Sequence, residues 1–196
     1  MYFLLRKIVL LVYKIAYNLS FEGLENIPDD GGYIYASNHR SYADPVLISI
    51  PVKKRFVYMA KEELFKNPFF AALIRMMGAF PVVRGSGDMK VIDTAVEKLE
   101  SGKNLVIFPE GTRSKDGKVG KGKTGVAMIA AMTGADVIPV GIVFEGKLSF
   151  RKKVVVKYGK PVHSEQLALS EKPSPKELKA VKLKIMDSIT ELVEEN

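Results

Sequence analysis

Apolar residues follow two patterns along this chain: short continuous runs, and longer stretches with helical spacing. The short runs are bounded by glycine, proline or polar residues, and such runs predict β-strands. They span residues 33–37, 55–59, 79–83, 104–108, 137–144 and 154–158. Pro139 lies inside the fifth run and predicts a bend or a sheet edge at that point.

Stretches with helical spacing separate the strands, and several begin at recognisable caps. The predicted caps are Asn67 before Pro68, Asp88, and Ser174 with Glu177. Residues 124–133 predict a further helix of small apolar residues. We expect the apolar segment 69–77 to cover the sheet as part of the core, with a lipid-facing surface as the alternative. Because strands alternate with helices, we predict a single α/β domain whose largely parallel mixed sheet is flanked by helices.

Residues 1–19 lack glycine and proline and predict an N-terminal helix. Arg6, Lys7 and Lys14 interrupt its apolar run, which is therefore too short to span a bilayer. At about 100° per residue, Lys7, Lys14 and Asn18 fall on one side of this helix. Such a helix would lie in a membrane interface with its cations toward the headgroups. The alternative is a helix packed on the core.

We therefore divide the chain into two parts. Residues 1–20 form an amphipathic, membrane-associating helix, and residues 21–196 form the α/β domain, which begins with a turn-rich link over residues 21–32. No small-residue cleavage site follows the helix, so we do not expect a signal peptide.

Composition narrows the range of functions. The chain of 196 residues contains no cysteine and two histidines, which excludes disulfides and cysteine nucleophiles and makes a transition-metal centre unexpected. The net charge of +8 favours an anionic partner, such as an acidic membrane surface or a phosphorylated ligand. A nucleic-acid partner is not expected, because no helix-turn-helix or arginine–aromatic pattern is present.

His39 and Asp44 are the first candidates for chemistry. On a regular helix, side chains five residues apart point about 140° apart and would not meet. They can meet if His39 lies in the turn after the first predicted strand and Asp44 begins the next element. Asp44 would then fix the tautomer of the imidazole and increase its basicity, as a general base requires. Taken alone, the pair is a weak signal and favours a structural histidine.

A second candidate site is the loop over residues 108–114, F-P-E-G-T-R-S, which directly follows a predicted strand. Loops at strand ends hold the sites of α/β proteins. Glu110 can accept a hydrogen bond from a substrate hydroxyl or act as an orienting group, Gly111 allows close backbone approach, and Arg113 offers a bidentate fork for phosphate. A surface turn with an internal Glu–Arg pair is the alternative.

Four segments in this order resemble the conserved blocks of the glycerolipid acyltransferases, most closely the bacterial 1-acyl-glycerol-3-phosphate acyltransferases. The segments are N-H-R-S-Y-A-D (38–44), G-A-F-P-V-V-R (78–84), F-P-E-G-T-R-S (108–114) and V-I-P-V-G-I (137–142). The resemblance covers roughly residues 23–161. The chain departs from the family at Val83, where an acidic residue often precedes the arginine, and in having a short N-terminus with one clear membrane helix.

The resemblance implies a fold like that of the glycerol-3-phosphate acyltransferases and a role for each matching residue. His39 would take the proton from the acceptor hydroxyl, and Asp44 would orient His39 and stabilise its charged form. The glycerol part of the acceptor would be positioned by Glu110, Gly111 and Thr112. Its phosphate would be held by Arg113, with help from Arg84 and Lys61, and Lys123 would attract phosphates. Ser41 is interpreted as a local hydrogen-bonding residue and His163 as a surface residue.

A competing motif is the full match to G-x-x-x-x-G-K-[ST] over Gly117–Thr124, which alone would indicate a nucleotide-binding P-loop. A P-loop requires a buried strand that leads directly into its first glycine. Here the preceding strand ends at Phe108 and polar residues intervene, so we do not expect a nucleotide-binding function.

The sequence therefore predicts an enzyme that moves a fatty acyl group from an acyl thioester to the sn-2 hydroxyl of 1-acyl-glycerol-3-phosphate, giving phosphatidate for phospholipid biosynthesis. Glycerol-3-phosphate or another lysophospholipid is the alternative acceptor. The donor would be acyl-CoA or an acyl carrier protein thioester, and no further cofactor is expected. We expect a peripheral location on the cytoplasmic face of the cell membrane, among membrane lipids and lysophosphatidate. Donor identity, acyl-chain length and oligomeric state stay open.

Overall fold

The computed structural model describes residues 2–82, 89–167 and 173–195 of the chain. In these residues the strands are β1 (Asn18–Glu22), β2 (Ile34–Ser37), β3 (Phe56–Lys61), β4 (Ala79–Val82), β5 (Asn104–Ile107), β6 (Val137–Val143) and β7 (Lys153–Tyr158). The α-helices are α1 (Tyr2–Ala16), α2 (Asp44–Ser49), α3 (Pro68–Met76), α4 (Met89–Glu100), α5 (Gly125–Thr133) and α6 (Pro175–Glu194).

The strands form one seven-stranded sheet in the order β1-β7-β6-β2-β5-β3-β4. Every neighbouring pair is parallel except β6–β7, which is antiparallel. The predicted α/β domain with a largely parallel mixed sheet is therefore confirmed.

Two apolar cores lie on opposite faces of this sheet. One core includes Leu47 and Ile48 of α2 and contacts Tyr13 of α1. The other is formed with α4, α5 and α6. The connection after β2 thus passes over one face through α2, and the connection after β5 reaches the opposite face through α5. Since β2 and β5 are neighbours, their carboxyl ends mark a point where the chain diverges, and ligand sites of open α/β sheets lie at such points.

The N-terminal region differs from the prediction. The helix ends at Ala16, and β1 follows it, so the expected boundary at residue 20 lies inside a strand. β1 was expected to be the end of a helix and the start of a turn-rich link. It pairs with β7, which is more than 130 residues away along the chain. Such a short edge strand is stabilised by a distant partner and has little local signal.

Of the two alternatives for Pro139, the sheet edge is wrong, because β6 lies inside the sheet between β7 and β2. The proline is tolerated because the ladder of β6 with β7 begins only at Val140. On that side the Pro139 carbonyl still accepts from the Gly159 N–H at 2.9 Å. The missing N–H of proline therefore removes no bond from the regular ladder.

The prediction that segment 69–77 belongs to the core is wrong. Of α3, only Ala71 is buried; Ile74 is half-buried, and Phe69, Phe70, Leu73 and Met76 are exposed. α3 connects β3 to β4, the last two strands of the sheet, so it has little sheet to cover. Its predicted N-cap is confirmed, since the Asn67 side chain accepts from the Phe70 N–H. The capping box of Ser174 and Glu177 is also confirmed. The predicted cap Asp88 lies outside the described residues.

The α1 helix packs on the core and also presents an apolar surface to solvent. Tyr13 and Tyr17 pack against the core that includes α2, and Arg6 donates to the carbonyl of Ile50 at the end of α2. The outer surface carries Lys7 and Lys14 together with exposed Ile8, Leu11, Val12 and Ile15. No helix within the described ranges combines the length and the apolar character needed to cross a bilayer.

Gly23 lies at the turn that follows β1 and permits a test of this edge of the fold. Its φ of +69° favours glycine, and a Cβ there would lie 2.0 Å from the Tyr158 carbonyl oxygen. Gly134 has a similar φ of +63° but open space around it. We expect Gly134→Ala to lower the free energy of unfolding by about 1–2 kcal/mol through backbone strain. Gly23→Ala should cost about 1–3 kcal/mol more because of the clash. Equal losses in urea denaturation would contradict this account.

Candidate functional site

His39 and Asp44 meet at the turn between β2 and α2. The Nδ1 atom of His39 lies 2.8 Å from Oδ2 of Asp44, and both residues are buried, with exposed fractions of 8% and 0%. Asp44 is the first residue of α2. The predicted contact across a strand-to-helix turn is therefore confirmed.

The Asp44 carboxylate holds this turn together. Its Oδ2 also accepts from the backbone N–H groups of Arg40, at 2.6 Å, and Ser41, at 2.8 Å. Its Oδ1 accepts from the Ser41 hydroxyl at 2.7 Å, which confirms Ser41 as a local hydrogen-bonding residue. Because a carboxylate can only accept, the proton of His39 lies on Nδ1, and Nε2 carries the lone pair that a general base uses.

Phe108 fixes the plane of the imidazole. Its ring stacks on that of His39 with centroids 4.0 Å apart and an angle of 17° between planes. Phe108 is the first residue after β5, so the strand next to β2 supplies this contact. The sequence suggested no such role, because nothing in the spacing of residues 39 and 108 indicates a stacked pair.

Asn38 joins the turn to β6. Its side-chain NH2 donates to the Ile142 carbonyl at 3.0 Å, and its Oδ1 accepts from the Ile142 N–H at 2.8 Å. Asn38 is the first residue after β2, and there its side-chain amide takes the place of backbone hydrogen bonds to β6. Asn38 therefore sets where the chain leaves the sheet immediately before His39, a role that sequence reasoning missed.

Arg40, the residue after His39, binds the loop that follows β6. Its guanidinium donates to the carbonyls of Phe144 and Gly146 and lies 4.0 Å above the centre of the Phe144 ring. Partial burial lowers the pKa of Arg40 from its usual value. Together with Asn38, it links both flanks of His39 to β6 and the loop that follows it.

Glu110 binds the backbone on two sides of the site. Its Oε1 accepts from the His39 N–H at 2.9 Å, and its Oε2 accepts from the Gly120 N–H at 3.0 Å. The residue is 8% exposed, and burial raises the pKa of its carboxyl. Each oxygen is thus bound to backbone inside the protein. These bonds let Glu110 position the peptide of His39, and its expected contact with the glycerol of the acceptor stays a prediction.

The rest of the 108–114 loop lies at the mouth of the site. The Ser114 N–H donates to the His39 carbonyl at 2.7 Å. The loop therefore binds both backbone groups of His39, its N–H through Glu110 and its carbonyl through Ser114. Thr112 and Arg113 are exposed, and the Arg113 guanidinium lies 3.7 Å above the ring of Tyr42. Tyr42 belongs to the loop between β2 and α2, so this stacked pair joins that loop to the 108–114 loop at the surface.

Of the remaining predicted residues, Gly111 and Lys123 lie at the mouth of the site and the others lie farther from His39 or outside the described residues. Gly111 has a φ of +72°, and a Cβ there would lie 3.1 Å from Lys123 Nζ, which places Lys123 over this glycine at the mouth. Lys61 is exposed at the carboxyl end of β3, two strands from β2. Arg84 lies outside the described residues. His163 is exposed, as predicted, and pairs with Asp136 at 2.8 Å.

The segment matching a P-loop does not form a phosphate cradle. Its backbone N–H groups are used within the chain: Gly117 donates to Ser114 Oγ, Gly120 to Glu110, and Lys123 to the Pro109 carbonyl. A P-loop instead directs such N–H groups at phosphate oxygens. A Cβ would lie 2.9 Å from Arg40 at Gly117, 2.8 Å from Glu110 at Gly120 and 2.5 Å from Met186 at Gly122, so close packing accounts for the glycines without a nucleotide.

The role of Glu110 predicts a specific effect of Glu110→Gln. An amide NH2 cannot accept from a backbone N–H, so either the His39 or the Gly120 N–H would lose its acceptor. We expect the free energy of unfolding to fall by about 1–3 kcal/mol and the hydrogen exchange of these two amides, followed by NMR, to accelerate. The control is Glu97→Gln, which changes an exposed carboxylate. Unchanged exchange at both amides would refute the role.

Comparisons with known proteins agree with this geometry. A family model described as "Acyltransferase" matches residues 18–143. A chloroplastic 1-acyl-sn-glycerol-3-phosphate acyltransferase of Arabidopsis thaliana is 36% identical over 135 residues, which are 67% of this chain and 38% of that protein. The 1-acyl-sn-glycerol-3-phosphate acyltransferase of Bacillus subtilis is 32% identical over 173 residues, 86% of this chain and 84% of its relative.

A solved structure is similar over nearly the whole chain. It is the crystal structure of the 1-acyl-sn-glycerophosphate acyltransferase from Thermotoga maritima, with 34% identity and a TM-score of 0.72. The match covers 95% of this chain and 79% of that one. The chain nevertheless spans only about two fifths of the length of the plant relative.

Proposed function

The chain belongs to the acyltransferase family that includes the 1-acyl-sn-glycerol-3-phosphate acyltransferases, and on this premise we propose that it transfers a fatty acyl group from a thioester to the sn-2 hydroxyl of 1-acyl-glycerol-3-phosphate. The product is phosphatidate. The observation that carries the proposal is the buried His39–Asp44 pair with Nδ1 and Oδ2 2.8 Å apart, placed beside the cationic residues of the 108–124 loop.

The proposed reaction needs one base and no covalent enzyme intermediate. Nε2 of His39 takes the proton of the acceptor hydroxyl as its oxygen attacks the thioester carbonyl. Asp44 stabilises the imidazolium that forms. When the tetrahedral intermediate collapses, the C–S bond breaks, and the departing thiolate receives the proton from His39. A thioester is already activated, which suits a chain without cysteine. The donor is acyl-CoA or an acyl carrier protein thioester, as co-substrate, with no further cofactor.

The acceptor phosphate is assigned to the cations at the mouth of the site. Arg113 is held by stacking on Tyr42, which restricts the guanidinium before the ligand arrives, and Lys123 lies over Gly111. A guanidinium fork suits a phosphate group. Gly111 and Thr112 directly precede Arg113, and we assign the glycerol part of the acceptor to them. Lys61 and Arg84 are assigned supporting roles.

The acceptor is a lipid, and α1 offers a way to reach it. Its outer surface combines exposed aliphatic side chains with Lys7 and Lys14, the composition of an interfacial helix. The net charge of +8 suits the anionic lipids of a cytoplasmic leaflet. We therefore assign the protein a peripheral position on the cytoplasmic face of the cell membrane.

The function is tested by an acceptor panel with a radiolabelled acyl donor. We expect turnover with 1-acyl-glycerol-3-phosphate to exceed that with glycerol-3-phosphate and with other lysophospholipids. His39→Ala should lower kcat by about 10²–10⁴-fold, since the general base is lost. The matched control is His163→Ala, because His163 makes the same Nδ1–Oδ2 contact at the surface. Near-wild-type transfer by His39→Ala would refute the mechanism, and a preference for another acceptor would refute the substrate.

Arg113 permits a separate test of phosphate recognition. We expect Arg113→Ala to raise KM for the acceptor by about tenfold or more, through loss of charge-assisted hydrogen bonds, while KM for the donor changes little. Arg113→Lys should recover only part of the loss, because lysine lacks the planar fork. Lys160→Ala is the control for net charge: Lys160 follows β7, whose antiparallel direction places it at the opposite end of the sheet. Similar KM values for both alanine variants would contradict the assignment.

A further inference from the structure

We propose that α3 is a second lipid-contacting element, whose exposed apolar side chains enter the interface of an anionic bilayer beside α1. The choice of a bilayer as the partner rests on the proposed function, because a lysophosphatidate acceptor and a phosphatidate product both reside in membranes. The surface is defined here as Phe69, Phe70, Leu73 and Met76.

These four side chains are unusually exposed for their size. Phe69 is 88% exposed, and the other three are between 40% and 44% exposed. Within α3, only Ala71 is buried, and the one charged residue is Arg75. α3 packs on the protein through Ala71 and the half-buried Ile74, and it leaves Phe69 and a large part of Phe70, Leu73 and Met76 in water. Contiguous patches of this kind mark interaction sites.

The topology places α3 on the same face of the sheet as α1. The β2-to-β3 and β3-to-β4 connections step in the same direction along the sheet. Because parallel crossovers are right-handed, α2 and α3 lie on the same face. α1 lies on that face too, since Arg6 donates to the end of α2 at Ile50. The exposed apolar surfaces of α1 and α3 therefore flank α2, one toward each edge of the sheet.

Charge at the carboxyl end of α3 fits an anionic lipid surface, whereas its amino end is neutral. The residues just before it include Lys61, Glu62, Glu63 and Lys66, two cations and two anions that sum to zero. Its carboxyl end borders a cleft of about 240 Å³. The cationic residues that line this cleft are Arg55, Arg75, Lys98 and Lys103, of which Lys98 also pairs with Glu97. Cations beside an interfacial helix strengthen binding to anionic headgroups.

The shape of the surface favours lipid over a folded partner. Phe69 is almost fully exposed, and Leu73 and Met76 share its side of α3, since spacings of four and seven residues return to the same face of a helix. This strip has the form of the apolar face of an interfacial helix, which can lie along a bilayer surface without a preformed groove. α3 also follows the carboxyl end of β3, the end of the parallel strands at which His39 lies, so lipid contact there is close to the site.

Vesicle binding with two matched double variants tests the proposal. Phe69→Asp/Leu73→Asp changes α3, whereas Met132→Asp/Leu183→Asp changes helices α5 and α6 on the opposite face. Met132 and Leu183 are 43% and 45% exposed, close to the 43% of Leu73. Full-length protein is mixed with vesicles of phosphatidylglycerol and phosphatidylcholine, and the bound fraction is measured by co-sedimentation. We expect the α3 variant to bind at least about tenfold more weakly and the control variant to bind like wild type.

Activity on two forms of acceptor separates this proposal from the proposed function. With lysophosphatidate in vesicles, the α3 variant should lose activity in parallel with binding. With a short-chain lysophosphatidate dissolved as monomers, it should match wild type.

Equal vesicle binding by the two double variants would overturn the lipid role of α3, as would an equal loss of activity on both acceptor forms. A dimer in solution that only the α3 variant abolishes would overturn it in favour of a second copy. Absence of acyl transfer by wild type, with the binding difference intact, would instead overturn the proposed function alone.

Discussion

The fully buried carboxylate of Asp44 is the constraint on which the candidate site depends. A charge removed from water is costly unless donors surround it, and here the donors are one imidazole nitrogen, one hydroxyl and two backbone N–H groups. These bonds come from three consecutive residues, 39–41, which can converge on one carboxylate only if the chain turns tightly around it. The same requirement that fixes the turn also fixes the tautomer of His39.

That turn would be insufficient without the neighbouring strand. The loop after β5 supplies the ring that stacks on His39, the carboxylate that accepts its N–H, and the N–H that donates to its carbonyl. Parallel pairing of β2 and β5 brings the two loops to the same edge of the sheet. Asn38 and Arg40 add bonds to β6 and beyond. The position of the imidazole therefore depends on three strands that are distant in sequence.

Residues that act through local chemistry were predictable, and residues that act through distant partners were not. The contact of His39 with Asp44 followed from a five-residue spacing at the end of a predicted strand, and the caps of α3 and α6 followed from their residue types. The edge strand β1 was missed because β7, more than 130 residues away, provides its partner. The two backbone donors of Glu110 could not be identified from the sequence, because they meet its carboxylate only in three dimensions.

The error at α3 has a different origin, and it bears on function. An apolar helical segment predicts burial, but it does not state whether protein or lipid will cover it. In this chain α3 lies over the last strands of the sheet, where little protein surface is available, and its apolar side chains stay exposed. α1 does the same near the other edge, on the same face. α2, which begins with Asp44, lies between them. If lipid covers both flanking helices, the helix that carries Asp44 is held next to the bilayer, and a lysophosphatidate needs only a short displacement to bring its hydroxyl to His39. A water-soluble thioester donor would then approach from the solvent side of the same loops. Exposed apolar surface that destabilises the isolated protein thus has a physical reason to persist at this face.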